Sequence, residues 1–117
     1  MKEYPFTPGN FYSKGYTREG ALQSVGAGWA GLVNEVFDEL EKSRPLVLVD
    51  QVKEKYGGLR IYTSPYEEEF DKLIQSIERR SFEICEECGQ VGKLRGGGWY
   101  KTLCEEHADG REPILPF

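Results

Sequence analysis

The sequence predicts an α+β domain, made of a helix, a β-hairpin and a second helix, followed by a small C-terminal module built on paired cysteines. Three observations carry this reading. Apolar residues recur at spacings of three and four between Val25 and Leu40, and two β-branched runs flank Tyr56-Gly57-Gly58. All three cysteines and the only histidine fall between positions 85 and 107.

Taken in order, residues 1–19 form an irregular arm, 20–83 an α+β core, 84–110 the cysteine module and 111–117 an extended tail. The arm carries Tyr4, Phe6, Phe11, Tyr12 and Tyr16. Disordered segments are poor in aromatics, so these rings are expected to dock the arm on the core. Val25, Trp29, Leu32, Val33, Val36, Phe37 and Leu40 then fall on one stripe of a helix spanning roughly 23–42, with Glu35, Asp38, Glu39 and Glu41 on the other side. Gly26, Gly28 and Gly31 each cost about 1 kcal/mol in a helix relative to alanine. Either the helix starts late, with its periodicity clean from Leu32, or another backbone comes close at the glycines.

Ser43-Arg44-Pro45 ends the helix, and Leu46–Lys55 and Leu59–Thr63 read as strands. Gly57-Gly58 supplies the positive φ angles of a tight hairpin turn. That turn sets Tyr56 opposite Leu59, Lys55 opposite Arg60 and Lys53 opposite Tyr62. Ser64-Pro65 breaks the second strand. Glu67, Glu68 and Glu69 open another helix where its dipole favours anions, Phe70, Leu73, Ile74 and Ile77 form its stripe, and Arg79 and Arg80 suit its last turn.

The cysteine module reads Cys85-x2-Cys88, fifteen residues, then Cys104-x2-His107. Two chelating pairs of thiolate and imidazole fill the four tetrahedral positions of one zinc ion and leave no place for water, which makes the predicted Zn2+ structural rather than catalytic. Gly89 permits the tight turn of a knuckle, and Cys104 and His107 are expected in the first turn of a short helix. Knuckle, hairpin and helix make a treble-clef-like module; a zinc ribbon, with its second pair on a turn, is the alternative. A redox Cys-x2-Cys would need a thioredoxin-like βαβ setting, which the sequence lacks. Glu105 and Glu106 can be proposed as catalytic carboxylates but read as solvated residues. The one histidine serves as a ligand, leaving none as general base for a nuclease. No catalytic residue is assigned.

A second candidate surface lies on the hairpin. Strand alternation puts Lys53, Lys55, Arg60 and Tyr62 on one face, with Val52, Tyr56, Leu59 and Ile61 on the other alongside Glu54. Lys93, Arg95 and Lys101, around the second hairpin, extend this basic face if the two hairpins dock suitably. The plain alternative is a solvated face whose charges keep a sheet edge from aggregating. The turn lacks P-loop spacing. Trp29 and Trp99 read as core or near-core residues.

Composition bounds the function. The chain has 117 residues, with fifteen Lys or Arg against twenty Asp or Glu, a net charge of −5. That balance argues against a generic polyanion binder. No stretch approaches the ~20 apolar residues of a membrane span, no signal-peptide core follows Met1, and an odd cysteine count suits a reducing compartment. The expected location is the cytoplasm, with neither a membrane nor a small-molecule substrate as partner.

Val52-Lys53-Glu54-Lys55-Tyr56-Gly57-Gly58-Leu59-Arg60-Ile61-Tyr62 resembles a V-K-E-K-[FY]-G-G-L-R stretch of small uncharacterised proteins from bacteriophages and bacterial prophages. Cys85-Glu86-Glu87-Cys88-Gly89 and the run from Gly98 to His107 are similar to the zinc half of the same proteins. The resemblance covers roughly residues 25–108, and the arm and tail have no counterpart in it. It implies a phage or prophage origin, hence a host bacterial cytoplasm, and a zinc site on the four residues already named. It brings no established activity. Small accessory phage proteins often bind a host or defence protein, so it implies a protein-binding module or inhibitor. The alternative is a nucleic-acid-binding regulator using Lys53, Lys55, Arg60, Lys93, Arg95 and Lys101.

Overall fold

The apolar stripes meet as the sequence requires. In the computed structural model, which describes residues 15–43 and 46–114, Leu32, Val33, Val36, Phe37 and Leu40 of one helix bury against Phe70, Ile74 and Ile77 of another. Val49, Val52, Leu59 and Ile61 from a two-stranded sheet complete the core, and Trp29 is fully buried within it. The elements run α1 (Arg18–Gln23), a 3₁₀ turn (Ala27–Trp29), α2 (Ala30–Ser43), β1 (Leu48–Lys55), β2 (Gly58–Ser64), α3 (Glu68–Ser81), β3 (Lys93–Arg95) and β4 (Lys101–Leu103). β1 pairs with β2 and β3 with β4, both antiparallel, so the fold is a helical layer with two small hairpins and a cysteine–histidine cluster near the C-terminus.

Two boundaries differ from expectation. Residues expected to end the arm begin α1 instead: Thr17 caps it by accepting from the Gly20 N–H, and Arg18 spans to α2 through Asn34, Asp38 and Glu41. Among the described residues of the arm, Gly15 takes a φ of 86° and the Tyr16 N–H donates to the Val49 carbonyl at 2.6 Å. The arm's other aromatics, residues Arg44 and Pro45, and the last three tail residues lie outside the described residues.

The hairpin turn also moves by one. Tyr56 and Gly57, with φ of 54° and 86°, form the turn. Lys55 pairs with Gly58, Lys53 with Arg60 and Val52 with Ile61. Each expected cross-strand partner is displaced by two, which keeps every strand side chain on its predicted face. Tyr56 leaves the inner face for solvent. The reason is tertiary, because a Cβ at Gly58 would overlap the Phe82 ring, so that glycine is needed in the strand.

α3 closes the outer edge of β2. Ser81 Oγ accepts from the Leu59 N–H at 2.9 Å and a Glu78 carboxylate oxygen from the Ile61 N–H at 3.0 Å. α2 and α3 are joined at their surfaces by a two-pronged Arg80–Glu35 pair at 2.7 and 3.0 Å. The Arg80 guanidinium holds the Glu35 carboxyl below its ordinary value. Among the described residues no helix is long and apolar enough to cross a membrane.

Candidate metal centre and hairpin groove

The cysteine module is held first by backbone. Around Cys85 and Cys88 the chain folds back on itself: the Cys85 N–H donates to the Gln90 carbonyl, the Gly89 N–H to the Cys85 carbonyl, and Ile84 bridges Val91. Gly89 takes a φ of 84°, the left-handed turn such a knuckle requires. The second pair does not sit on a helix. It lies on turns closed by the His107 N–H to the Cys104 carbonyl and the Ala108 N–H to the Glu105 carbonyl. Gly110, in the left-handed region, and Pro113 follow too closely for a helix to propagate.

These turns bring Cys85, Cys88, Cys104 and His107 together, with all four ligand atoms within 4.8 Å of one another. Cys88 Sγ lies 3.7 Å from Cys104 Sγ, Cys85 Sγ 3.7 Å from His107 Nδ1, and Cys104 Sγ 3.2 Å from that nitrogen. A tetrahedron with zinc–sulfur bonds of about 2.3 Å has a sulfur–sulfur edge of about 3.8 Å. The donors therefore already stand close to the spacing that one ion would impose. The set can coordinate a single metal ion and is compatible with one structural zinc. The cysteines are all free of disulfides.

The electrostatics favour a thiolate at one position. Burial pushes the Cys85 thiol up, but hydrogen bonds from the backbones of Cys104, Cys88 and Glu87 and from the Cys88 side chain bring it down to about 6. At Cys88 the Gln90 backbone bond lowers the value, and burial with the two neighbouring sulfurs outweighs it. The Cys104 and Cys85 sulfurs raise the His107 imidazole.

Two seams fasten this module to the core. At the first, the Gly28 N–H donates to the Glu86 carbonyl at 2.8 Å and Trp29 Nε1 to the Ile84 carbonyl at 2.9 Å. A Cβ on Gly26 or Gly28 would overlap the knuckle backbone, at Glu86 or at Cys85 respectively. Both readings of these glycines therefore hold: α2 starts late, and another backbone comes close. At the second seam Thr102 Oγ1 donates to the Gly57 carbonyl at 2.7 Å, docking the second hairpin on the turn of the first. Glu86, buried, accepts from the Thr102 N–H at 3.1 Å, and burial pushes its carboxyl up.

Docking decides the fate of the basic residues. Lys53 and Lys55, with Glu54 and Tyr56, line one wall of a groove of about 520 Å³ whose other wall is Gly98, Trp99 and Tyr100. Arg60 instead borders a separate depression beside Gln75, Glu78 and Arg79 of α3. Tyr62 lies under Lys53, whose Nζ is 5.8 Å from the ring centre. Leu94 and Thr102 face the first hairpin, so alternation turns Lys93, Arg95 and Lys101 to the opposite face.

Arg95 is corrected outright. It is 3% exposed, and its guanidinium donates to the Leu103 and Arg111 carbonyls and pairs with Glu105 at 3.5 Å. A cation can be buried when its donors are satisfied in this way.

Trp99 is corrected in the other direction. It is 66% exposed, beside Tyr56 at 65% and Tyr100 at 47%. Its backbone is nevertheless fixed, because Arg111 Nη1 donates to the Gly96 carbonyl at 3.0 Å and to the Trp99 carbonyl. In the segment that supplies Arg111, Pro113 bridges Arg95 and the Ile114 N–H donates to the Leu94 carbonyl at 2.8 Å. Neither Arg111 nor Thr102 carries a sequence signal for these roles. No protein-family model, curated protein or solved structure matches this chain.

Proposed function

We propose that this chain is a non-enzymatic interaction module of phage or prophage type, stapled by one structural zinc, which binds a host protein through the groove between its hairpins. The groove carries the reading. Three aromatic side chains, Tyr56, Trp99 and Tyr100, meet solvent at a place where the core does not need them, and hydrogen bonds from the Arg95 and Arg111 guanidiniums steady the loop that carries two of them. Exposed Trp and Tyr anchors supply most of the energy in protein interfaces.

Zinc suits the donor set of three thiolates and one imidazole, and four protein ligands close its shell against substrate. The second pair on turns favours the zinc-ribbon alternative over a treble clef. The resemblance to phage proteins supports a partner from a bacterial cell. A nucleic-acid role loses support, because Arg95 is spent internally, Lys93 and Lys101 turn away, and the chain carries a net charge of −5.

The test compares wild-type protein with Trp99→Ala as baits in a bacterial lysate, at equal zinc content by elemental analysis and equal circular dichroism. The reading expects one zinc per chain and a captured protein that Trp99→Ala loses. Identical capture by both baits would sink it.

A further inference from the structure

Resting on the reading of the groove as a binding surface, we infer that its occupant is an extended protein segment in which two acidic residues flank one large apolar residue. The charge of the groove is the first argument. Lys53 and Lys55 have no carboxylate partner among the described residues. The acidic residue between them, Glu54, is already engaged, since its Oε2 accepts from the Gly57 N–H at 2.7 Å. The groove lining thus sets two ammonium groups against one carboxylate, a locally cationic site in an acidic chain.

Geometry supplies the order of the residues. Lys53 and Lys55 are two apart on one strand, so they leave the same face about 7 Å apart. An extended segment laid along the groove repeats this spacing, with residues i and i+2 pointing to one wall and i+1 to the other. The lysine wall then takes carboxylates at i and i+2. The opposite wall, Trp99 and Tyr100, takes the apolar side chain at i+1. Trp99 follows Gly97 and Gly98, both in the left-handed region, and with Trp99 66% and Tyr100 47% exposed this wall is open to a bulky side chain.

Fluorescence anisotropy on the zinc-loaded full chain tests this, with fluorescein-labelled peptides containing Glu-Leu-Glu, Gln-Leu-Gln or Glu-Glu-Leu in a Gly/Ser frame, and with a twelve-residue oligothymidylate. The Glu-Leu-Glu peptide is expected to bind about ten-fold more tightly than either other peptide. The double variant Lys53→Gln/Lys55→Gln should erase that preference, and Trp99→Ala should weaken binding of every peptide. Equal binding of the Glu and Gln peptides, or of the two Glu orderings, overturns the inference. So does tighter binding of the oligothymidylate, with a steep salt slope. If Trp99-dependent protein capture persists while Glu-Leu-Glu fails, the inference falls alone; if capture ignores Trp99, the broader reading falls with it.

Discussion

Replacing Gly28 with alanine inserts one methyl group into the seam between the helical core and the knuckle. The new Cβ would overlap the Cys85 carbonyl oxygen, the Glu86 carbonyl carbon and the Gly89 nitrogen, all backbone atoms that cannot rotate away. The knuckle must retreat, giving up the Gly28–Glu86 bond and straining that from Trp29 Nε1 to Ile84. Each such bond contributes about 1 kcal/mol net, and overpacking adds about 1–3 kcal/mol. Alanine returns at most about 1 kcal/mol of backbone entropy. The expected loss is about 2–4 kcal/mol, a large share of the ~5–15 kcal/mol that holds a domain folded.

Gly31→Ala supplies the opposing case. That position is in α2 and nothing stands within 4 Å of its Cβ, so the substitution should stabilise by up to about 1 kcal/mol. Urea unfolding of zinc-saturated protein, followed by circular dichroism, measures both. Shifts in the same direction for the two variants, or an unchanged midpoint for Gly28→Ala, would refute the argument that backbone contact dictates glycine here.

Other outcomes follow from the same contacts. Cys88→Ser should lose stoichiometric zinc by elemental analysis and lower the melting temperature, and a strong chelator should do the same to wild type, because structural zinc contributes on the order of 10 kcal/mol of binding energy in small modules. Ser81→Ala leaves the buried Leu59 N–H without its acceptor and should cost about 1–3 kcal/mol in urea unfolding. Glu35→Gln removes the half-exposed pair with Arg80 and should cost no more than about 1 kcal/mol at neutral pH. Because the folded Glu35 carboxyl lies below its ordinary value, that contribution is present above the unfolded carboxylate pKa. It disappears as pH falls through the folded value, so melting curves of the variant and wild type should converge in acid. Trp99→Ala, by contrast, should change the melting temperature little, since two thirds of the residue already meets solvent.

The sequence carried the elements whose burial is periodic. The stripe from Leu32 to Leu40 and that from Phe70 to Ile77 each repeat on a helical period, and the core uses nearly all of them. The four residues that could hold a metal ion were legible because chelation by neighbours demands short fixed spacings, which survive any detail of the fold. The turn was not, because Tyr56-Gly57-Gly58 accommodates two registers locally and the Phe82 ring chooses between them. Helix α1 was hidden because six residues with a glycine show no period, and it is secured from outside through Arg18. Arg95 and Trp99 traded the places their side chains imply, one because carbonyls sequester its charge, the other because the glycine tip holds it outward. Both depend on contacts between distant segments, which no local pattern records.

The Thr102–Gly57 bond joins two walls whose foundations differ. One wall stands on the helical core; the other belongs to the unit whose four side chains could hold an ion. Anything clasped across them therefore shares a thermodynamic cycle with an ion bound there, and each must tighten the other's binding by the same factor.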